Sequence, residues 1–280
     1  MTDIGADDVE HSRVVTGMCG LCASPTTAFD QAVVLGRHEV DYVRCSGCGS
    51  VFLPAPHWLE EAYSSAISSL DVGLLERCWQ LANVTSALIA TQRLRQGTCL
   101  DFAGGYGTFT RLMRDRGHDF RHLDPLCANI FAEGLGGELD RRYDLITAYE
   151  VLEHLEDPVR TLSPLVALTD LLIVTTQVLP DPPPRVSDWD YYALASGQHI
   201  TFCSLDGLRA LAEALGCELT SSGGLVHVFH RRPLTRLTKA LLRHERGAYG
   251  LGAVLGEVGR RRGLTLADSH TAAARVDPGS

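Results

Sequence analysis

From residue 97 onward, apolar and polar positions alternate between a strand pattern and a helix pattern. TCLDFAGGYG reads as a strand running into a glycine turn, and TFTRLMRDRG as a helix. DFRHLDP and YDLITAYEV read as strands, with NIFAEGL between them short and ambiguous. HLEDPVRTLSPLVALT contains a helix, and LLIVTTQV reads as a buried strand. SLDGLRALAEALG is a helix with Ser204 as N-cap and Gly216 as its stop, and 217–230 supplies a final hairpin. Upstream, Leu74, Leu75, Cys78, Leu81, Ala82, Leu88 and Ile89 follow helical spacing. The alternation predicts an α/β fold, a Rossmann-like, doubly wound, mostly parallel sheet covered on both faces.

Five stretches follow along the chain. Residues 1–16 read as a disordered acidic arm and 17–58 as a small module ending near Pro54, Pro56 and His57–Trp58. Residues 59–96 are a helical lead-in, 97–230 the alternating domain and 231–280 a basic helical tail. The 280 residues are 45% apolar and 21% charged, which excludes a largely disordered chain. No apolar run reaches the roughly 18 residues of a membrane span, and the acidic N-terminus lacks the apolar core of a signal peptide, so a cytoplasmic protein is expected. Net charge is −9, but 231–262 carries a local +7, leaving −16 for the rest. An acidic body repels phosphate backbones and argues against nucleic-acid binding. In the tail, Leu234, Leu237 and Leu241 alternate with Arg236, Lys239, Arg243 and Arg246 as an amphipathic helix, read as docked on the body with a solvated cationic face.

Cys19-Gly-Leu-Cys22 and Cys45-Ser-Gly-Cys48 are two CxxC turns with 22 residues between them. Each turn puts two thiolates on one side of a tight loop, and two such turns suit a tetrahedral Zn²⁺ in a ribbon-like module. Four protein ligands close the coordination sphere, so the ion would be structural. Reduced thiols or two disulfides are the alternative. Cys78, Cys99, Cys127, Cys203 and Cys217 sit in apolar patterns and read as small buried hydrophobes.

The second constellation is the glycine turn Asp101-Phe-Ala103-Gly104-Gly105-Tyr106-Gly107, which follows a strand and opens a helix. Glycines let backbone approach a ligand, and a helix N-terminus offers unpaired N–H groups. A second strand ends at Asp124, 23 residues after Asp101, where a carboxylate can accept both hydroxyls of a ribose. A nucleoside cofactor is the functional reading, a tight structural turn the bland one.

These residues resemble the first motif of class I S-adenosylmethionine-dependent methyltransferases, with Ala103 where a first glycine is usual. Tyr143-Asp-Leu-Ile-Thr-Ala-Tyr149-Glu150-Val-Leu-Glu153-His154 is similar to that family's fourth-strand motif. The resemblance implies a seven-stranded sheet. It implies S-adenosylmethionine held by the turn, with Asp101 toward the methionine part, Asp124 on the ribose and Tyr149 and Glu150 nearby. The adenine would lie around Ala132-Glu133-Gly134-Leu135.

Removing a proton from an acceptor calls for a base at the C-terminal edge of the sheet. The loop after LLIVTTQV holds Asp181, Asp188, Trp189, Tyr191, Tyr192, Gln198 and His199. His199 is the candidate base, with backbone orientation as its bland reading. His154 is the second candidate, against helix capping, and Tyr63 could close over the site. CxxC turns, this domain and Ser196-Gly-Gln198-His199-Ile-Thr-Phe202 are together similar to nucleotide-sugar C-methyltransferases of deoxysugar pathways. That family has Glu where Gln198 stands, and a further C-terminal domain. The acceptor class implied is therefore broader: a small molecule such as a sugar, a nucleotide sugar or a natural-product intermediate. Two alternatives remain, a zinc-module ribosomal RNA methyltransferase and a non-catalytic relative that binds the cofactor or a partner.

Overall fold

A computed structural model describes residues 17–64, 71–94, 97–260 and 263–273. The acidic arm at 1–16 lies outside the described residues. The N-terminal module contains β1 (Thr26–Val34), β2 (His38–Cys45) and β3 (Val51–Phe52). The lead-in contains α1 (Leu59–Ala62) and α2 (Leu74–Gln92). Then come β4 (Thr98–Phe102), α3 (Thr108–Asp115), β5 (Asp119–Leu123), β6 (Leu145–Ala148), α4 (Pro158–Leu168) and β7 (Leu171–Thr175). Next are β8 (Thr201–Phe202), α5 (Leu205–Ala214), β9 (Glu218–Ser221) and β10 (Val226–His230). The tail forms α6 (Arg236–Leu242), α7 (Glu245–Arg260) and α8 (Thr265–Ala273).

The large sheet has the order β5-β4-β6-β7-β10-β9 among the described residues. Its first four strands are parallel, and β10 and β9 add as an antiparallel hairpin. β6 and β7 are buried at every position, as strands covered on both faces must be. The sequence reading implied seven strands; six are found. Where a seventh would flank β5, Gly136 makes a single parallel bridge to His122. Leu135-Gly136-Gly137 offers too little side chain to hold a longer pairing. His122 N–H donates to Leu135 O and Gly137 N–H to His122 O, and the ladder stops there.

Alternate sides of each strand feed two apolar layers. Cys99, Leu145, Ile173 and Val228 pack with Leu88, Ile89, Phe109 and Met113 of α2 and α3. Leu100, Ile146, Leu172 and Phe229 pack with Leu162, Leu165, Leu208 and Leu211 of α4 and α5. Local chemistry sets the helix ends. The Asp157 side chain accepts from Arg160 N–H ahead of Pro158, and Ser204 accepts from Gly207 N–H.

The module is less separate than the sequence suggests. β8 comes from the far end of the alternating domain, yet it completes the module's sheet in the order β1-β2-β3-β8. Leu53 N–H donates to Ile200 O at 2.9 Å, and Trp58 Nε1 donates to Gly197 O at 2.8 Å. Trp58, Tyr42, Tyr192 and Phe202 share one buried cluster.

The basic tail is docked, and its expected single amphipathic stretch is broken at Arg243–His244: α6 ends at Leu242 and α7 starts at Glu245. No helix among the described residues is long and apolar enough to cross a membrane. α7 lies against α2 by presenting glycine. A Cβ at Gly252 would fall 1.7 Å from Asn83 O, whereas at Gly250 it would meet nothing within 4 Å. Gly252→Ala should therefore lower stability by about 1–3 kcal/mol through overpacking, while Gly250→Ala should be neutral or stabilising by up to about 1 kcal/mol. Denaturant midpoints of the two variants check this; equal midpoints would show that α7 does not seat on α2.

Candidate functional site

The turn after β4 is built by backbone constraint. Ala103 adopts φ 55° and Gly107 φ 84°. The first is a left-handed position occupied without glycine, at a cost of roughly 1–2 kcal/mol; the expected small adjustment for Ala103 is thus the acceptance of that conformation. Gly107 stands at the N-cap of α3, and a Cβ there would approach Asn129 Oδ1 to 2.7 Å. Underneath, Asp101 is buried and its carboxyl accepts from Thr110 Oγ1 and Thr147 Oγ1, both at 3.0 Å. Burial pushes this carboxyl up to about 7, against the two hydroxyls that favour its charge. His122 Nε2 donates to Gly105 O at 2.9 Å, bracing the turn from β5.

Asp124, at the end of β5, faces the turn. Its Oδ2 accepts from Gly105 N–H at 2.8 Å, and its Oδ1 accepts from Leu126 and Cys127 N–H at 2.7 and 2.8 Å. A cavity of about 710 Å³ opens over this assembly. Asp101, Ala103, Gly104, Gly105, Tyr106, Asp124, Tyr149 and Glu150 line it; Gly107 serves the turn without lining it. The stretch Ala132–Leu135 does not line it either. Ala132 and Leu135 are buried in packing, and Pro125, Leu126 and Cys127 are on the cavity wall beside Asp124. Cys78 and Cys127, read as buried hydrophobes, are also on the cavity wall.

Past the end of β6 the chain turns sharply, with Glu150 at φ 53°. Glu150 Oε1 accepts from Thr175 Oγ1 at 2.9 Å, and its Oε2 lies 3.3 Å from Arg77 Nε. Arg77 also pairs with Asp71 at 2.6 Å. Burial, then the neighbouring Glu153 charge, raises Glu150 to about 7. Asp71 and Arg77 were missed in the sequence. Nothing in the apolar period of α2 marks a polar pair aimed at a cavity.

At the other end of the cavity the structure gathers Tyr63, His154, Tyr191, Gln198 and His199. The rings of His154 and His199 meet edge-on at 4.9 Å. His154 Nδ1 lies 3.0 Å from Gln198 O and 2.9 Å from Tyr63 Oη, and His199 Nδ1 lies 2.7 Å from Tyr191 O. A carbonyl only accepts, so in both rings the Nδ1 carries the proton and the Nε2 lone pair is left over. Burial lowers both imidazoles below their usual range. Glu153 sits behind them, fully buried, with Oε1 accepting from Tyr191 Oη at 2.7 Å. Of the other loop residues singled out, Tyr192 and Trp189 pack with the N-terminal module, and Asp181 and Asp188 are not on the cavity wall.

The four cysteines of the CxxC turns converge on the face of the module that meets α5. Their sulfurs all lie within 4.8 Å of one another, with Cys19–Cys48 at 3.7 Å and Cys22–Cys45 at 3.4 Å. A tetrahedral ion with bonds of about 2.3 Å separates its sulfurs by about 3.8 Å. Backbone N–H groups of Leu21, Gly47 and Cys48 point at these sulfurs, a donor set suited to thiolates.

A family of proteins described as "methyltransferase domain" matches residues 79–222, just over half of the chain. The chain belongs to that family. Residues 79–222 of this methyltransferase domain run from α2 through β9 and include the turn, Asp124 and both histidines. No curated protein matched the chain. Among solved structures it is similar to an O-methyltransferase family 2 protein from Planctomyces limnophilus in complex with apigenin, at 20% identity and TM-score 0.45, covering 63% of this chain and 66% of that one. It is similar to mitomycin 7-O-methyltransferase MmcR at 19% identity and TM-score 0.41, covering 64% and 68%. A possible histamine N-methyltransferase from Thermotoga maritima matches at 14% identity and TM-score 0.42, covering 64% and 98%. The chain thus spans just under two thirds of the Planctomyces protein's length.

The buried acid beneath the turn gives the methyltransferase domain a measurable signature. A carboxyl raised from 3.8 to about 7 holds its proton in the folded state longer than in the unfolded one. Its contribution is therefore full below the unfolded value and is lost as pH rises through that window. Relative to Asp101→Asn, the wild type should lose stability between about pH 4 and 7. Denaturant midpoints of both proteins across that range check this, and a constant difference would remove the buried-acid reading.

Proposed function

We propose that the chain transfers a methyl group from S-adenosylmethionine to a small-molecule acceptor, a sugar, nucleotide sugar or natural-product intermediate. The observation that carries this reading is one continuous cavity. It has the glycine turn and Asp124 at one end and His154 and His199 at the other. When bound, the cofactor supplies an electrophilic methyl on its sulfonium.

The residues of the turn end fit such a group. Asp124 Oδ1 already accepts two backbone N–H bonds, and Oδ2, which accepts one, retains capacity for a ribose hydroxyl. Leu126 and Cys127 offer an apolar wall beside it, which suits the adenine. Ala103, Gly104, Gly105 and Tyr106 give close backbone approach. Tyr149, held by Thr85 at 2.6 Å, and Glu150, held by Thr175 and Arg77, bound the methionine side. Asp101 lines the cavity beneath the turn, on the side read for the methionine part.

The acceptor's proton leaves at the histidine end. His199, with Nδ1 committed to Tyr191 O, keeps Nε2 for the acceptor, and His154 and Tyr63 form the adjoining wall. Holding the acceptor in line with the sulfonium supplies most of the acceleration, and proton removal by a positioned group adds about 10²–10⁴-fold. The four cysteines, in this reading, hold a structural Zn²⁺ that fixes the module against α5 and β8.

Two experiments test these assignments. Asp124→Ala should weaken S-adenosylmethionine binding by calorimetry by about 1–3 kcal/mol, whereas His199→Ala should keep binding and lose at least about 100-fold in methyl transfer. Unchanged affinity in the first variant, or full turnover in the second, rejects the corresponding role. Purified protein should contain one zinc per chain by elemental analysis, and Cys45→Ser should lose it and melt at lower temperature. A metal-free chain of undiminished stability would dismiss the zinc.

A further inference from the structure

The geometry points to a divalent-cation site at the acceptor end, formed by Glu153, His154 and His199 and separate from the cysteine quartet. One ligand atom from each of the three residues lies within 4.8 Å of the others. Three ligands sharing an ion with bonds of about 2.1 Å are about 3.0–3.6 Å apart, so the groups close on it by about 1–2 Å. Two histidines and one carboxylate, with positions left open, are a recurrent transition-metal set.

Three independent features aim these groups at an ion. Both imidazoles give their Nδ1 proton to a main-chain carbonyl, Gln198 O and Tyr191 O, which fixes the tautomer and frees Nε2. That outer-shell pattern orients metal-bound histidines. Glu153 is completely buried, one oxygen takes the Tyr191 hydroxyl, and Oε2 has no hydrogen-bond partner among the described residues. A buried carboxylate oxygen without a partner is costly, and a cation removes that cost. Glu150 adds a second buried carboxyl, whose proton affinity the Glu153 charge raises. Among the described residues, Lys and Arg, the usual answer to such a pair, supply only Arg77, which is shared with Asp71.

The chemistry this adds concerns the acceptor, and that part rests on the methyl-transfer reading. A cation held here would offer open positions to an acceptor hydroxyl and lower its pKa. The proton of the O–H bond that breaks would pass to solvent, and the oxygen would bond to the methyl carbon as the carbon–sulfur bond breaks, turning sulfonium into thioether. Without the ion His199 Nε2 takes the acceptor's proton, as in the methyl-transfer reading; with the ion bound it ligates the ion, which lowers the hydroxyl's pKa in its place, and the substrate class becomes hydroxyl-bearing acceptors with a second oxygen that can reach the same ion.

Mn²⁺ is the probe, because thiolate sites hold it poorly and the cysteine quartet stays silent. Purified full-length chain, with neither cofactor nor acceptor present, is titrated with Mn²⁺ and the free ion is read by electron paramagnetic resonance. The expected result is one Mn²⁺ per chain, with affinity falling at least tenfold in Glu153→Gln and in His199→Ala. Glu153→Gln is nearly isosteric but buried. His199→Ala lies on the cavity wall, and circular dichroism with thermal melting establishes that each variant is folded. No Mn²⁺ bound at millimolar concentration, or binding unchanged in folded His199→Ala, overturns the site. Binding is read without methyl transfer, so failure here leaves the methyl-transfer reading standing, and failure of cofactor binding leaves this site standing.

Discussion

The site depends on a ladder only two residues long. β3 and β8 pair through Val51–Phe202 and Phe52–Thr201, and the Leu53–Ile200 bond extends the pairing toward His199. A loop running from β7 to α5 without this support would have to hold an imidazole, a Tyr191 carbonyl and a Gln198 carbonyl in place on its own turns. With it, the loop becomes the edge of a four-stranded sheet. Its other contacts point the same way. Trp58 takes the Gly197 carbonyl, Gln198 Nε2 donates to Ala62 O, and Ser204 bonds both Ser50 and the Cys48 carbonyl. A site on a rigid element is held more tightly than one on a free loop. The N-terminal module acts as a brace for the histidine end of the cavity.

The elements legible in the sequence were those whose signals are local. Periodicity found the strands and helices from β4 to β7, α5 and the closing hairpin, and chemistry found Ser204 as a cap and the two CxxC turns. The elements that escaped depend on distant partners. β8 is two residues with no alternation to read, and it is a strand only because β3 lies beside it. The seventh strand was implied by resemblance, and glycines at 136 and 137 reduce it to one bridge. Among site residues, the turn and Asp124 were legible because a glycine pattern and a carboxylate at strand spacing are contiguous signals. Asp71 and Arg77 were not. Glu153 lay inside a quoted motif, yet its importance comes from burial and an unpartnered oxygen, which no linear pattern displays.

Strain and buried charge concentrate at this site. Ala103 and Glu150 take left-handed conformations at the ends of β4 and β6, where two parallel strands meet the cavity. Asp101, Glu150 and Glu153 bring three carboxyls to the same edge, and each has its proton affinity raised by burial. Stability alone would favour apolar residues of similar size at such positions. Their presence is what a cavity for a cationic or metal-dependent ligand requires, since a sulfonium or a divalent ion reverses the electrostatic cost of carboxylates clustered out of water.

The proposed zinc and the proposed cation have different physical tasks, and the sequence order reflects this. The module's strands bury few residues of their own, and the cluster around Tyr42 and Trp58 draws Tyr192, Ile200 and Phe202 from the other side of the chain. A segment of this size gains most of its order from a metal clip and from docking. Cys48 and Ser50 stand at the junction: Cys48 is a candidate ligand whose carbonyl accepts from Ser204, and Ser50 Oγ accepts from Ser204 N–H at 3.1 Å. Five residues upstream of Ser204 is His199. A perturbation at the cysteine quartet thus has a short covalent and hydrogen-bonded route to His199, whereas the glycine turn is tied to β4, β5 and α3 and has no comparable link to the module among the described residues. The two ends of the cavity are therefore held differently: the glycine turn rests on the large sheet, while the histidine end joins His154, just past β6 of the large sheet, to His199, beside β8 of the small one.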